Sequence, residues 1–162
     1  MRYLVVILLF FTGCGFKPLY SQKNIQPLSG INYQKLADHK NNARATFLLN
    51  EKIERMLTSN MQSKIPAQYI LSVDYEIKVD DYMTMPGSVS ARKRVQIFLN
   101  YILRDIKTDQ IKYKGKIMDF NSLSVTKQQP FSDYLNQDSL TINMLNSLVE
   151  ELRIQLIAKL AN

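Results

Sequence analysis

Gln68-Tyr69-Ile70-Leu71-Ser72-Val73-Asp74-Tyr75-Glu76-Ile77-Lys78-Val79-Asp80 alternates without interruption. Tyr69, Leu71, Val73, Tyr75, Ile77 and Val79 fall on one side; Ile70, Ser72, Asp74, Glu76, Lys78 and Asp80 fall on the other. A period of two is strand geometry, and one apolar face against one polar face means a sheet covered on one side only. The rest of the chain must supply neighbouring strands and an apolar layer to cover that first face.

Downstream, Asp81 to Ser90 holds Met83, Met85, Pro86 and Gly87, which predicts a turn or a protruding hairpin end. From Arg92 to Asp105 the alternation returns. Val95, Ile97, Leu99, Tyr101 and Leu103 share one face, while Arg94, Gln96, Phe98, Asn100, Ile102 and Arg104 share the other. Lys107-Thr108-Asp109-Gln110 makes a short turn. A further strand follows, with Ile111, Tyr113, Gly115 and Ile117 facing one way and Lys112, Lys114 and Lys116 the other; past a bulge it runs on to about Val125.

Two helices complete the pattern. From about Ala43 to Gln62, Phe47, Leu49, Ile53, Met56 and Leu57 recur at helical spacing, with Leu48 widening the stripe and Pro66 beyond the stop. Gln128-Gln129-Pro130 breaks the strand pattern, and Ser132 or Asp138 can cap a helix that runs to Leu160. Its stripe is Ile142, Leu145, Leu148, Val149, Leu152, Leu156 and Leu160. Upstream of everything, Gly30 to Leu36 alternates briefly and predicts a first strand. The order is β-α-β-β-β-α: an α+β, two-layer sandwich of a mostly antiparallel four-stranded sheet with two amphipathic helices on one face. This domain covers residues 31–162.

The N-terminus reads differently. Met1-Arg2 precedes the nine apolar residues Tyr3 to Phe11, and Thr12-Gly13-Cys14 ends the run. A basic start, a short apolar stretch and small residues before a break are the parts of an export signal. Nine residues make a helix of about 14 Å against a hydrocarbon core of ~30 Å, too short to span it. Cys14 is the only cysteine, and the pattern resembles a bacterial lipobox, in which the thiol takes diacylglycerol and the chain is cut before the cysteine. A buried N-terminal strand with an ordinary thiol and a cleaved signal without lipid are the alternatives. Residues 1–13 are thus read as signal and 14–30 as a lipidated tether. Removing 13 of the 162 residues leaves 149, enough for one domain with a core.

The net charge of +7 raises nucleic acid as a partner, and the export signal argues against it. Outside the cytoplasm the abundant polyanions are membrane lipids and lipopolysaccharide. Between Arg92 and Lys116 stand eight Lys or Arg and only two acids, Asp105 and Asp109. Lys112, Lys114 and Lys116 repel one another along one strand face, which an anionic partner would relieve; lysines there also serve solubility and discourage edge pairing. Catalysis finds little support. His39 is the only histidine and sits in a polar stretch. Asp80-Asp81 and Glu150-Glu151 are neighbours that point different ways. There is no Gly-rich phosphate loop, no metal-ligand cluster and no cofactor motif, so the chain is expected not to be an enzyme.

Cys14-Gly15-Phe16-Lys17-Pro18-Leu19-Tyr20, directly after a signal, resembles the start of mature LptE proteins, the lipopolysaccharide-assembly lipoproteins. Arg94-Val95-Gln96 leading into a long strand, and Phe131-Ser132-Asp133-Tyr134 with Asn136-Gln137-Asp138 before the last helix, look like that family too. The resemblance implies a non-enzymatic lipoprotein of the outer membrane, on its periplasmic side and inside the lumen of an LptD-like β-barrel, which it plugs while helping to deliver lipopolysaccharide. It implies lipopolysaccharide contact by Arg92, Lys93 and Arg94, and by Lys127; Lys112, Lys114 and Lys116, set on one strand face by the period of two, are read from their spacing as a second basic face. Gly15 after the cysteine, in place of the Asp associated with inner-membrane retention, fits outer-membrane delivery. The competing expectation is an envelope lipoprotein that serves as auxiliary subunit of another lipid-transport complex.

Overall fold

A computed structural model of the chain describes residues 26–37, 42–58, 66–84, 90–126 and 130–161. The signal, Cys14 and most of the tether, His39, the Met85-Pro86-Gly87 turn and Lys127 lie outside the described residues. The elements are β1 (Ile31–Gln34), α1 (Ala43–Thr58), β2 (Tyr69–Thr84), β3 (Ser90–Asp105), β4 (Ile111–Thr126) and α2 (Pro130–Leu160), after a 3₁₀ turn at Gln26–Gly30. The sheet is open, in the order β1-β2-β3-β4. β2, β3 and β4 form an antiparallel meander of strands of 16 residues each. β1 pairs in parallel with the start of β2, Ile31 opposite Tyr69 through Gln34 opposite Ser72. The chain reaches β2 by way of α1, the crossover that a parallel pair requires.

Both helices pack on the apolar face. Leu71, Val73 and Tyr75 of β2 and Val95, Ile97, Leu99, Tyr101 and Leu103 of β3 are buried against Leu49, Ile53 and Met56 of α1 and Leu145, Leu148, Leu152 and Leu156 of α2. The alternation that defined the strands is therefore what builds the core. Burial fades toward the hairpin end, where Val79 is exposed. Leu28, within the segment read as tether, is fully buried in the same core.

Several expectations are corrected. Phe47 is 66% exposed, while Ala45, Thr46, Leu49, Ile53, Met56 and Leu57 are buried. At 100° per residue, Phe47 stands ~200° from both Ala45 and Leu49, on the far side of the helix. Met83 lies in β2 rather than in a turn, and the ladder shifts register between Asp81 and Met83. Ile111 does not share the face of Tyr113. The register shift at Leu103/Arg104 sets Tyr113 opposite Leu103 and Ile111 opposite Arg104. The irregularity thus falls at the start of β4, and pairing is unbroken from Tyr113 to Thr126. Pro130 opens α2 instead of preceding it, since a proline in the first helical turn loses no hydrogen bond. On α2, Met144 and Ile157 join the buried stripe.

Polar contacts fix the helices to the sheet. Thr46, the one fully buried polar side chain among the described residues, lies 2.8 Å from the Tyr75 hydroxyl and donates to the Asn42 carbonyl at 3.2 Å. Asn50 of α1 holds the segment after β1. Its Oδ1 accepts from the Tyr33 hydroxyl (2.7 Å) and the Leu36 amide (3.0 Å), and its Nδ2 donates to the Leu36 carbonyl (3.3 Å). Burial, with the Glu54 carboxylate adding to it against an opposing Leu36 backbone contact, pushes the Tyr33 phenol up to about 12. The Tyr101 hydroxyl donates to Gln155 Oε1 of α2 at 2.9 Å. Its ring occupies the space above Gly115, where a Cβ would stand 2.5 Å from Tyr101 Cε1. No helix among the described residues is long and apolar enough to cross a membrane.

Candidate functional site: the uncovered face of the sheet

With both helices on one side, the opposite face of the sheet carries the residues left over by the alternation. Paired residues in an antiparallel ladder share a face, so the register reads as rows across β2, β3 and β4. Ser72, Ile102 and Lys114 form one row; Asp74, Asn100 and Lys116 the next; then Glu76, Phe98 and Met118; then Lys78, Gln96 and Phe120; then Asp80, Arg94 and Ser122. Arg92 lies one row further, opposite Ser124.

The middle of this face is apolar and rimmed by cations. Ile102, Met118 and Phe120 are exposed, Phe120 by 62%. The Phe98 ring has Lys116 Nζ 4.3 Å and Lys78 Nζ 5.3 Å from its centroid. A ring quadrupole attracts ammonium groups, at ~0.5–1 kcal/mol when exposed. Lys78 also meets Glu76 at 3.4 Å. Lys114 and Lys116 make no ion pair among the described residues. Charge is unevenly shared: β2 contributes Asp74, Glu76, Asp80 and Lys78 to the face, and β4 contributes Lys114 and Lys116 and no acid.

The basic residues singled out in the sequence are not all brought together. Arg92 and Arg94 lie on the uncovered face. Lys93 lies on the helix side, in register with Asp81, and its Nζ is 4.0 Å from Asp81 Oδ1. The run of three cations is thus split by the sheet, as period two requires. Arg94 is in register with Asp80 on one side and Ser122 on the other. Lys112 belongs to the bulge, with Nζ 5.9 Å from the Tyr113 ring, which also receives Lys159 of α2 at 5.3 Å. Lys114 and Lys116 remain as the basic edge of the face. Arg104 is tied to the β3–β4 turn, donating to the Asp109 carbonyl (3.0 Å) and Oδ1 (3.3 Å). In the same turn, the amides of Thr108 and Lys107 hold the Asp105 carboxyl below the usual carboxylate range.

Two features escaped the sequence reading. Met118 and Phe120 extend the uncovered face of β4, and continuing the Lys112-Lys114-Lys116 alternation by two steps finds them. The first turns of α2 expose Phe131 by 75%, along with Tyr134 and Leu135. Tyr134 borders a cleft with Asn42, Ala45, Leu48 and Ile142, and Arg44 and Asp138, an ion pair of 3.0 Å, line it too. No cluster of three or more His, Cys, Asp or Glu side chains placed to hold a metal occurs among the described residues.

No protein-family profile matches the chain, and no curated protein sequence matches it. Solved structures do. A protein described as a lipoprotein of Caulobacter crescentus CB15 superposes with a TM-score of 0.62 at 17% identity, over 88% of this chain and 99% of that one. A minor lipoprotein from Acinetobacter baumannii gives 0.61 at 10% identity, over 81% and 92%. Rare lipoprotein B from Shewanella oneidensis gives 0.58 at 13% identity, over 79% and 92%. The chain therefore has the α+β fold of these three bacterial lipoproteins.

Proposed function

We propose that this chain is a lipoprotein of the bacterial outer membrane, anchored through acylated Cys14, that seats in the lumen of an LptD-like β-barrel and assists lipopolysaccharide delivery. The observation that carries this reading is the pairing of the lipobox-like Thr12-Gly13-Cys14-Gly15 and Phe16-Lys17-Pro18-Leu19-Tyr20 with a fold shared by three bacterial lipoproteins. The polar members of the uncovered sheet face, Asp74, Glu76, Lys78, Asn100, Lys114 and Lys116 around its apolar patch, support it, because a plug must present polar surface to a wet lumen. The exposed Phe131, Tyr134 and Leu135, neighbours in the first turns of α2, support it too, since clustered exposed apolar side chains mark interaction surfaces. Multiple acyl chains give durable anchoring at ~0.8 kcal/mol per buried CH₂, where one chain alone is marginal. In this reading Arg92 and Arg94, which share the uncovered face, take phosphate, because guanidinium groups bind it in bidentate fashion. Affinity isolation of the tagged chain from membranes in mild detergent tests the reading. A large outer-membrane β-barrel should co-purify; recovery of an inner-membrane transporter in its place would assign the chain to another lipid-transport complex.

A further inference from the structure

One end of the sheet brings together the starts of β1, β2 and β4, the end of β3 and the last turn of α2. Ile31, Tyr69 and Asp105 are in register across β1, β2 and β3. One step outward, the Gln68 amide donates to the Gly30 carbonyl at 2.8 Å, and the Ile106 amide donates to the Gln68 carbonyl at 2.9 Å. The 3₁₀ turn at Gln26–Gly30 is therefore linked through Gln68 to the β3–β4 turn, and Leu28, fully buried in the core, pins it to the body. The chain toward Cys14 leaves the folded domain at this end, from a fixed point.

The same end is apolar and basic. Ile106 and Ile111 stand at the two sides of the β3–β4 turn, 41% and 51% exposed. The acids of the turn are engaged within it: Asp105 Oδ1 accepts from the Lys107 and Thr108 amides, and Asp109 pairs with Arg104. Lys107, Lys112 and Lys159 make no ion pair with a described residue. Lys112 and Lys159, from β4 and α2, lie 5.9 and 5.3 Å from the one Tyr113 ring, which gathers two ammonium groups beside the turn.

We propose that this end of the domain docks on a bilayer surface that contains anionic phospholipid. Ile106 and Ile111 enter the headgroup region, and Lys107, Lys112 and Lys159 meet lipid phosphates. The inference rests on the reading of Cys14 as the acylated anchor. Tether, charge and patch size together select a lipid surface as the occupant. Cys14 stands twelve residues before Gln26, a reach of at most ~42 Å at ~3.5 Å per extended residue, so the anchor holds this end close to the membrane. Basic residues beside an anchor are drawn to anionic lipid, and apolar side chains next to them bury in the interface. Two isoleucines and three lysines are too few for a standard protein–protein interface. They suit a contact that anchoring has already made intramolecular, where a weak attraction is enough. The docking leaves the open sheet face and the first turns of α2 to a barrel partner.

The chain contains no tryptophan, so an introduced one is a sole reporter. Ile106→Trp, Ile111→Trp and, at the start of α2, Phe131→Trp are each purified from membranes. They are reconstituted into vesicles of phosphatidylcholine, or of equal parts phosphatidylcholine and phosphatidylglycerol, with brominated acyl chains as quencher. All three positions are exposed, and thermal melts matching the parent's confirm folding. With phosphatidylglycerol present, Ile106→Trp and Ile111→Trp should be quenched and blue-shifted, and Phe131→Trp should not. Added sodium chloride should remove most of that quenching, as should Lys107→Gln/Lys112→Gln/Lys159→Gln in the Ile111→Trp background. Flotation with the neutral vesicles reads the anchor, and quenching reads the end that meets the lipid, so the two readings fail separately. Absence of quenching at 106 and 111 on vesicle-bound chain, equal quenching at 131, or quenching as strong without phosphatidylglycerol would each overturn the proposal.

Discussion

Gly115 shows how much one side chain can decide. Its missing Cβ makes room for the Tyr101 ring, whose hydroxyl ties β3 to Gln155 of α2. Gly115→Ala should destabilise the fold by about 1–3 kcal/mol through overpacking, measured by chemical denaturation. Adding Tyr101→Phe should not recover the loss, because the clash is with the ring itself. Tyr33 gives a pH signature. Its folded pKa of about 12 lies above the ordinary 10.0, so its contribution to stability is fully present below pH 10.0 and is lost as pH rises through about 12. Tyr33→Phe should flatten that part of the stability profile, and the tyrosinate absorbance titration should lose its latest component. Among the basic residues, the split across the sheet separates roles. Arg92→Ala/Arg94→Ala should weaken lipopolysaccharide binding about tenfold, ~1.4 kcal/mol, and lower its salt sensitivity. Lys93→Ala, on the helix side beside Asp81, should change it much less. Equal effects from the two variants would show that the face does not matter.

At the scale of elements, the strands were the most legible part. Leu71, Val73, Tyr75, Ile97, Leu99 and Tyr101 are buried together under α1 and α2, because strict alternation leaves no second way to sort them. Leu99→Ala should accordingly cost ~2–5 kcal/mol. Ser72→Ala, which loses only an exposed 2.8 Å hydrogen bond to Gln34, should stay within ~0.5 kcal/mol. Similar losses from both would mean that the faces are misassigned. What was not legible depends on partners that local pattern cannot see. Phe47 looks like core by type, and only the packing of Ala45 and Leu49 against the sheet turns it outward. The register shift that exposes Ile111 is set by the β3–β4 turn, where Asp109 adopts a left-handed φ of 54°. Asp tolerates that conformation better than most residues. Parallel pairing of β1 depends on where α1 delivers the chain, which four residues of alternation do not encode. The split of Arg92, Lys93 and Arg94 was legible, since period two alone places the middle residue on the opposite face.

For the whole molecule, the two layers leave one helix-covered face and one open face, and the functional account places membrane chemistry at the N-terminus and partner contact on the open face. If Cys14 is the mature N-terminus, mass spectrometry of the purified protein should show residues 1–13 missing and acyl mass added; an intact Met1 would remove the anchor from the account. Partner contact is tested most directly in the living cell. A photo-crosslinking amino acid at Phe120, on the open face, and another at Phe131, at the exposed start of α2, should each trap a large outer-membrane β-barrel protein on irradiation, with Ser147 on the exposed side of α2 as a comparison. Adducts to a barrel from Phe120 and Phe131 are the result this account predicts. Adducts only to an inner-membrane transporter would contradict it.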